Sequence, residues 1–300
     1  MSVIRRLAFA LPALIVLAVG CASPGAPVTS VPPTGRPSSP SPSTVDEASP
    51  FASLFRYLSH RQGVITAALY DARTRRIWVY NPRSLQYTAS IVKVQIMGTA
   101  LWEAQAKGGP LPPAEAALMV PMIEASDNTS ATTLLTDVGG PAAVLRFDRA
   151  AGLTSTAPHR AYPAIPGSPA PGWPAWGLTT TTARDQVVLL KRFAYPNRLL
   201  TDANRRYGLS LMEHVEFGQA WGVSDGVAPG NTVALKNGWL PFYATLPLAK
   251  AGGYQIDSIG WVRGHGRDYL LAVLTRDNPS QPYGITTIGA ISRRIYAEIG

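Results

Sequence analysis

Residues 88–95 read TASIVKVQ, and the rest of the chain is interpreted from them. Apolar residues at helical spacing, Ile91, Val94, Met97, Gly98 and Leu101, predict a helix over residues 90–106 with Ser90 at or near its start. Residues three apart on a helix share a face, so Ser90 and Lys93 would present a hydroxyl and an amine side by side. The chain has five lysines against 22 arginines, so a basic residue here is arginine by default, and Lys93 breaks that habit. Chemistry supplies a reason. A serine hydroxyl is a poor nucleophile until a base takes its proton. Lysine is that base when burial or a neighbouring positive charge lowers its pKa, whereas arginine stays charged.

Working outward, VITAALY at 64–70 and RIWVY at 76–80 flank DARTR and predict a hairpin. PAEAALMVPMIEA predicts a second helix. SDNTSATTLLTDV predicts a third, capped by Asp127 or Asn128. Pro141 and Gly152 bracket another short helix, and Thr182 with Asp185 forms a cap opening a helix over 183–193. NTVALKNGW, QIDSIGWV and DYLLAVLTR read as three further strands, and ITTIGAISRRIYAEI as a closing helix. Strands at both ends with helices between predict a mixed sheet whose first and last segments pair around a helical insertion. Between Ala157 and Gly177 lies a proline-rich loop, long enough to expect a functional part for it.

The ends of the chain have a different composition. Residues 1–20 join Arg5 and Arg6 to an apolar run and read as a secretory leader. The sequence LAVGC is similar to a bacterial lipobox, which implies lipidation at Cys21 and export to the outer face of the cell membrane on a lipid anchor. Cys21 is the only cysteine, so no disulfide or thiolate metal site forms within the chain. His60, His159, His214 and His265 show no ligand spacing, and neither a metal nor a cofactor is expected. Residues 21–50 are rich in Pro, Ser and Thr and read as an extended tether, leaving 51–300 as the folded domain. The net charge of +9 suits an anionic surface. Without a basic run interleaved with aromatics, no nucleic-acid partner is expected, and the chain is expected to be a monomer.

Two more triplets follow Ser90 and Lys93: Ser126-Asp127-Asn128, and Lys236-Asn237-Gly238 within a strand-like run. S-x-x-K, S-D-N and K-T-G in that order are motifs of class A β-lactamases and penicillin-binding proteins. The sequence resembles that family over most of 64–300, also through SDNTSATTLLTDVGGPAAVLRF, TTTTARD and NTVALKNGW. The resemblance implies an α/β chain of the α+β type, with an antiparallel sheet flanked by helices and an inserted helical subdomain. It implies a serine hydrolase acylated at Ser90 by a β-lactam or a peptidoglycan-stem-like amide, with Lys93 as base. It implies that Ser126, bonded between the two lysines, returns a proton to the departing nitrogen, and that Lys236 attracts the substrate carboxylate. Asn128 would bind the acyl side-chain amide and help fix Lys93. Asn237 and Gly238 would line the substrate's path, and the N–H of Trp239 would join that of Ser90 in an oxyanion hole. Asp127 would brace its own turn.

The chain departs from the family's pattern in three places. No Glu occurs between Glu124 and Glu213, so the loop glutamate that frees the acyl-enzyme in class A enzymes has no counterpart. His159 and Tyr162 are the candidates for that base, the histidine by its pKa. Asn237 stands where the family usually has Thr, and the Ser90 to Ser126 interval is short, which predicts a trimmed helical subdomain. Slow β-lactam hydrolysis follows from the first departure. A D-Ala-D-Ala carboxypeptidase or penicillin-binding protein is the alternative enzyme, favoured by Gly238-Trp239. A wall-binding lipoprotein without catalysis is the third reading.

Overall fold

The computed structural model describes residues 49–159, 167 and 174–299; the leader, Cys21, nearly all of the tether and Tyr162 lie outside them. The described elements run α1 (Phe55–Ser59), β1 (Val64–Asp71), β2 (Arg76–Tyr80), β3 (Gln86–Tyr87), α2 (Val92–Ala106), α3 (Pro113–Glu124), α4 (Asn128–Asp137) and α5 (Gly140–Ala151). They continue with β4 (Thr180–Thr181), α6 (Ala183–Ala194), α7 (Asp202–Glu213), β5 (Thr232–Pro241), β6 (Tyr254–Gly264), β7 (Arg267–Asn278) and α8 (Gln281–Glu298). Five strands form one sheet in the order β2-β1-β7-β6-β5, and β3 pairs with β4 in a small second one.

First and last strands do pair: β1 lies against β7 from Val64 opposite Arg276 to Asp71 opposite Tyr269. Every pairing is antiparallel, which corrects the mixed sheet predicted from element order and agrees with what the family resemblance implied. A strand shows alternate side chains to opposite faces, and β7 uses both. Tyr269, Leu271 and Val273 join Ile288, Ile291 and Ile295 of α8 in one core. Leu270, Ala272 and Leu274 join Ile96, Met97 and Leu101 of α2, with α5 and α6, in the other. Sealed on both faces, β7 reads as a continuous apolar run.

The helical side is built around α2, which is buried on all sides from Val92 to Leu101. Its packing against α5 is so close that a Cβ on Gly98 would stand 2.4 Å from the Phe147 ring. Caps fall where the sequence placed them: Asp127 accepts from the N–H of Ser130 at 2.6 Å, and Thr182 from that of Asp185 at 3.2 Å. Gly152 closes α5 in the left-handed conformation, φ 87°. Helix α7, which no sequence pattern singled out, packs its Gly208 under Phe193. Among the described residues no helix is long and apolar enough to cross a membrane.

Candidate active site

Two polar segments of the helical side converge on the open edge of the sheet. Ser90 sits in a short 3-10 turn, Ala89–Ile91, that leads into α2. Residue Ala89 ahead of it is held at φ 42°, a left-handed conformation that alanine rarely adopts. Ser126, in the turn between α3 and α4, is held at φ 60°. Ala89 lines the crevice that Ser90 opens into, and Ser126 accepts from both lysines of the site, a clustering of strain typical of functional sites.

Opposite them runs β5, an edge strand. It passes so close to the Ser90 turn that a Cβ on Gly238 would come within 2.8 Å of the Ser90 nitrogen and 3.0 Å of the Thr88 oxygen. Glycine is therefore required at 238. On the same strand the Lys236 amine donates to the Asn237 carbonyl at 3.0 Å, which places that carbonyl on the free edge. Two residues on, the N–H of Trp239 shares that edge, near Ser90.

Lys93 and Lys236 have no exposed surface, and both point at the Ser126 hydroxyl, at 3.1 and 2.9 Å. Lys93 also donates to the Ser126 carbonyl at 2.6 Å and to Asn128 Oδ1 at 2.9 Å. Its amine lies 5.0 Å from the centre of the Trp176 ring. Burial pushes the Lys93 pKa down to about 7, against a smaller opposing pull from Asp127. Burial also holds Lys236 well below the lysine range, and the neighbouring Lys93 lowers it further. Two cations cannot comfortably share so dry a place, so the cluster favours an amine without its proton. With two N–H groups directed at its oxygen, Ser126 keeps its own proton for a third partner.

The structure thus joins Lys93, Ser126, Asn128 and Lys236 by direct bonds and sets Ser90 and Gly238 beside them. It also corrects one expectation, for Asn237. Lys236, expected to attract a substrate carboxylate, is buried and donates to the Ser126 hydroxyl. Asn237 was expected to face substrate, but its amide is fully buried and donates to the carbonyls of Gln219 at 2.6 Å and Trp221 at 3.0 Å. Strand alternation is the reason, since Lys236 and Asn237 cannot both face the cleft.

Ser90 opens into a crevice lined by Asn128, Pro174, Trp176, Gly177, Trp239 and Leu240. His159 is not among its walls. It lines a separate apolar crevice with Val92, Ile96, Leu135 and Val144, and Trp176 borders both. Burial lowers the His159 pKa, so its ring is neutral near pH 7. The Trp176 indole N–H donates to Thr132 at 3.1 Å, which fixes the ring over Lys93. A wider hollow lined by Arg205, Arg206, Glu213 and Arg263 gathers charge.

Set against known proteins, residues 116–299 match the model of the "Beta-lactamase enzyme family", a span that takes in Ser126 and Lys236 and begins after Lys93. No curated protein sequence matches the chain. Among solved structures, an ancestral (GNCA) class A beta-lactamase superposes with a TM-score of 0.67 at 19% identity, covering 83% of this chain and 100% of that one. The class A beta-lactamase of the last common ancestor of Gram-negative bacteria (GNCA4) superposes with the same score at 20% identity, covering 84% of this chain and 99% of that one. At such identities the superpositions establish the fold.

Proposed function

From the premise that this chain belongs to the beta-lactamase enzyme family, we propose that it is a serine hydrolase acylated at Ser90 by β-lactams or related amides. One observation carries the reading: two buried lysines meet on one serine hydroxyl, beside a second serine presented by a strained turn. In its neutral form Lys93 takes the proton of Ser90 Oγ as that oxygen attacks the carbonyl carbon. Lys93 points at Ser126 and Asn128 in this structure, so it swings toward Ser90 as substrate enters, a tightening common on substrate binding. The developing oxyanion sits between the N–H groups of Ser90 and Trp239. When the C–N bond breaks, the nitrogen takes the Ser126 proton, which the protonated Lys93 replaces, and an ester remains on Ser90.

Release of that ester needs an activated water. Among the described residues that line the Ser90 crevice there is no carboxylate and no imidazole. That supports a long-lived acyl-enzyme, and with it the penicillin-binding reading as well as slow β-lactam hydrolysis. His159 or Tyr162 is the base if turnover is fast. Export on a lipid anchor at Cys21 fits such a substrate, which resides outside the membrane.

Intact-protein mass spectrometry of residues 51–300 after addition of a penicillin tests the proposal. The wild type is expected to gain the mass of the drug and Ser90→Ala to gain none. An adduct of equal yield on Ser90→Ala, or none on the wild type, would overturn acylation at Ser90.

A further inference from the structure

One aromatic side chain among the described residues is bare. Phe217 is 99% exposed, whereas Phe55, Leu85, Val120 and Tyr243, the other exposed large apolar side chains among the described residues, lie between 39% and 44%. A single exposed apolar residue is ordinary in itself. The anchoring of this one is what makes it informative. Glu216 donates its N–H to the Glu124 carbonyl at 3.0 Å, two residues ahead of Ser126. On the other side, the Asn237 amide holds the Gln219 carbonyl at 2.6 Å, and Gln219 is itself buried. The short turn Phe217–Gln219 is therefore pinned between the segment that carries Ser126 and the strand that carries Lys236. A side chain mounted so firmly loses little freedom on meeting a ligand.

The chemistry of the cleft says which part of a ligand that is. Asn128, Pro174 and Trp176 border the Ser90 crevice. In the acylation step Ser126 meets the departing nitrogen. Phe217 follows the residue bonded to the segment that carries Ser126, the group that would meet the amine half of the substrate, the half beyond the scissile bond.

We propose that Phe217 is a specificity-determining contact for that amine half, and that the preferred acyl donors carry an extended, flat, apolar substituent there. The inference rests on acylation at Ser90. A flat conjugated group gains by offset or edge contact with a phenyl ring, and it covers apolar surface otherwise left in water. No other large apolar side chain among the described residues is as exposed to solvent.

Two cephalosporins with the same thienylacetyl acyl half separate the possibilities: nitrocefin, whose amine half bears a dinitrostyryl group, and cephalothin, whose amine half bears a small acetoxymethyl group. Acylation rates are measured by intact mass for the wild type, Phe217→Ala and Phe217→Trp, with the melting temperature of each. The melting temperature is expected to be unchanged, because the ring touches solvent. Phe217→Ala is expected to acylate with nitrocefin roughly 3- to 10-fold more slowly while cephalothin changes less than about twofold, and Phe217→Trp to keep the nitrocefin rate. Equal change with both drugs, or none with either, overturns this inference and leaves acylation at Ser90 standing. Absence of any adduct on the wild type overturns acylation at Ser90, and this inference with it.

Discussion

Two residues apart on α2, Lys93 and Gln95 are both sealed from water, and each belongs to a buried ionisable site. On the cleft side is Lys93 itself; on the core side Gln95 donates to both carboxylate oxygens of Asp148, at 3.0 and 2.9 Å. Burial drives the two ionisable groups to nearly the same place from opposite directions. Lys93 comes down to about 7 and Asp148 goes up to about 7, the latter against the Gln95 bond and with some help from the nearby Asp185 carboxylate. A perturbed pKa is therefore shared by both sites and does not tell them apart. What differs is the way out: Lys93 bonds to the half-buried Ser126 and to Asn128, which lines the Ser90 crevice, whereas Asp148 closes on α2 inside the core. Desolvation creates reactivity only where a hydrogen-bond partner leads to a place a substrate can reach.

Lys93→Met breaks the comparison hardest. It removes the amine and leaves a side chain of similar length in a dry pocket. Acylation by a penicillin is expected to fall by roughly 10²- to 10⁴-fold, the usual contribution of a general base, with the fold kept by circular dichroism. Gln95→Leu, on the core side of the same helix, is expected to lower the melting temperature and leave the acylation rate of the folded protein alone. If the two variants had the same effect on acylation, the cleft would be as inert as the core.

The pH profile sharpens it. With Lys93 at about 7, the neutral base is the minor form below that pH. The acylation rate is expected to climb about tenfold per pH unit up to about 6 and to level off above 8. A profile flat from pH 5 to 9 would remove Lys93 from the proton's path.

Ser90, Lys93, Ser126 and Lys236 were legible as a group because three family motifs carry them, and the structure joins Lys93, Ser126 and Lys236 by direct bonds. The helix caps at Asp127 and Thr182 were legible because they act locally. Strand direction was not: a long helical excursion between β1 and β7 returns the chain from either side, and only the observed pairing settles the sheet as antiparallel. Helix α7 escaped because its centre, Asn204-Arg205-Arg206-Tyr207-Gly208, lacks an apolar stripe until Phe193 covers the glycine. Strands β3 and β4 have two residues each, too few for any period. The contacts of Trp176 with Lys93 and Thr132 were not legible because those partners lie far off in sequence. Asn237 was a misreading that the period of two already argued against, since Lys236 beside it had been assigned to the cleft.

The smallest effect separates the two sites by stability alone. Between about pH 4 and 7 the folded chain keeps the Asp148 proton that the unfolded chain has released, so this group's contribution to stability falls as pH rises through that window. Above about 7 the folded chain has released the Lys93 proton that the unfolded chain keeps up to its ordinary value of 10.5, so this contribution rises with pH. Together they cut a trough near pH 7, its acid limb belonging to the core and its alkaline limb to the cleft. Asp148→Asn removes the share of the acid limb that Asp148 supplies, while the buried Asp257, also raised by desolvation, keeps its own. The amide keeps an oxygen for the Gln95 donor, and its own N–H₂ faces a Gln95 Oε1 that lacks a partner among the described residues. The variant is expected to gain about 1–3 kcal/mol at pH 7 and little at pH 4, from denaturant melts at pH 4, 7 and 9. A gain at pH 7 no larger than the gain at pH 4 would mean that Asp148 is ionised in the core, and that burial treats the two sides of α2 differently after all.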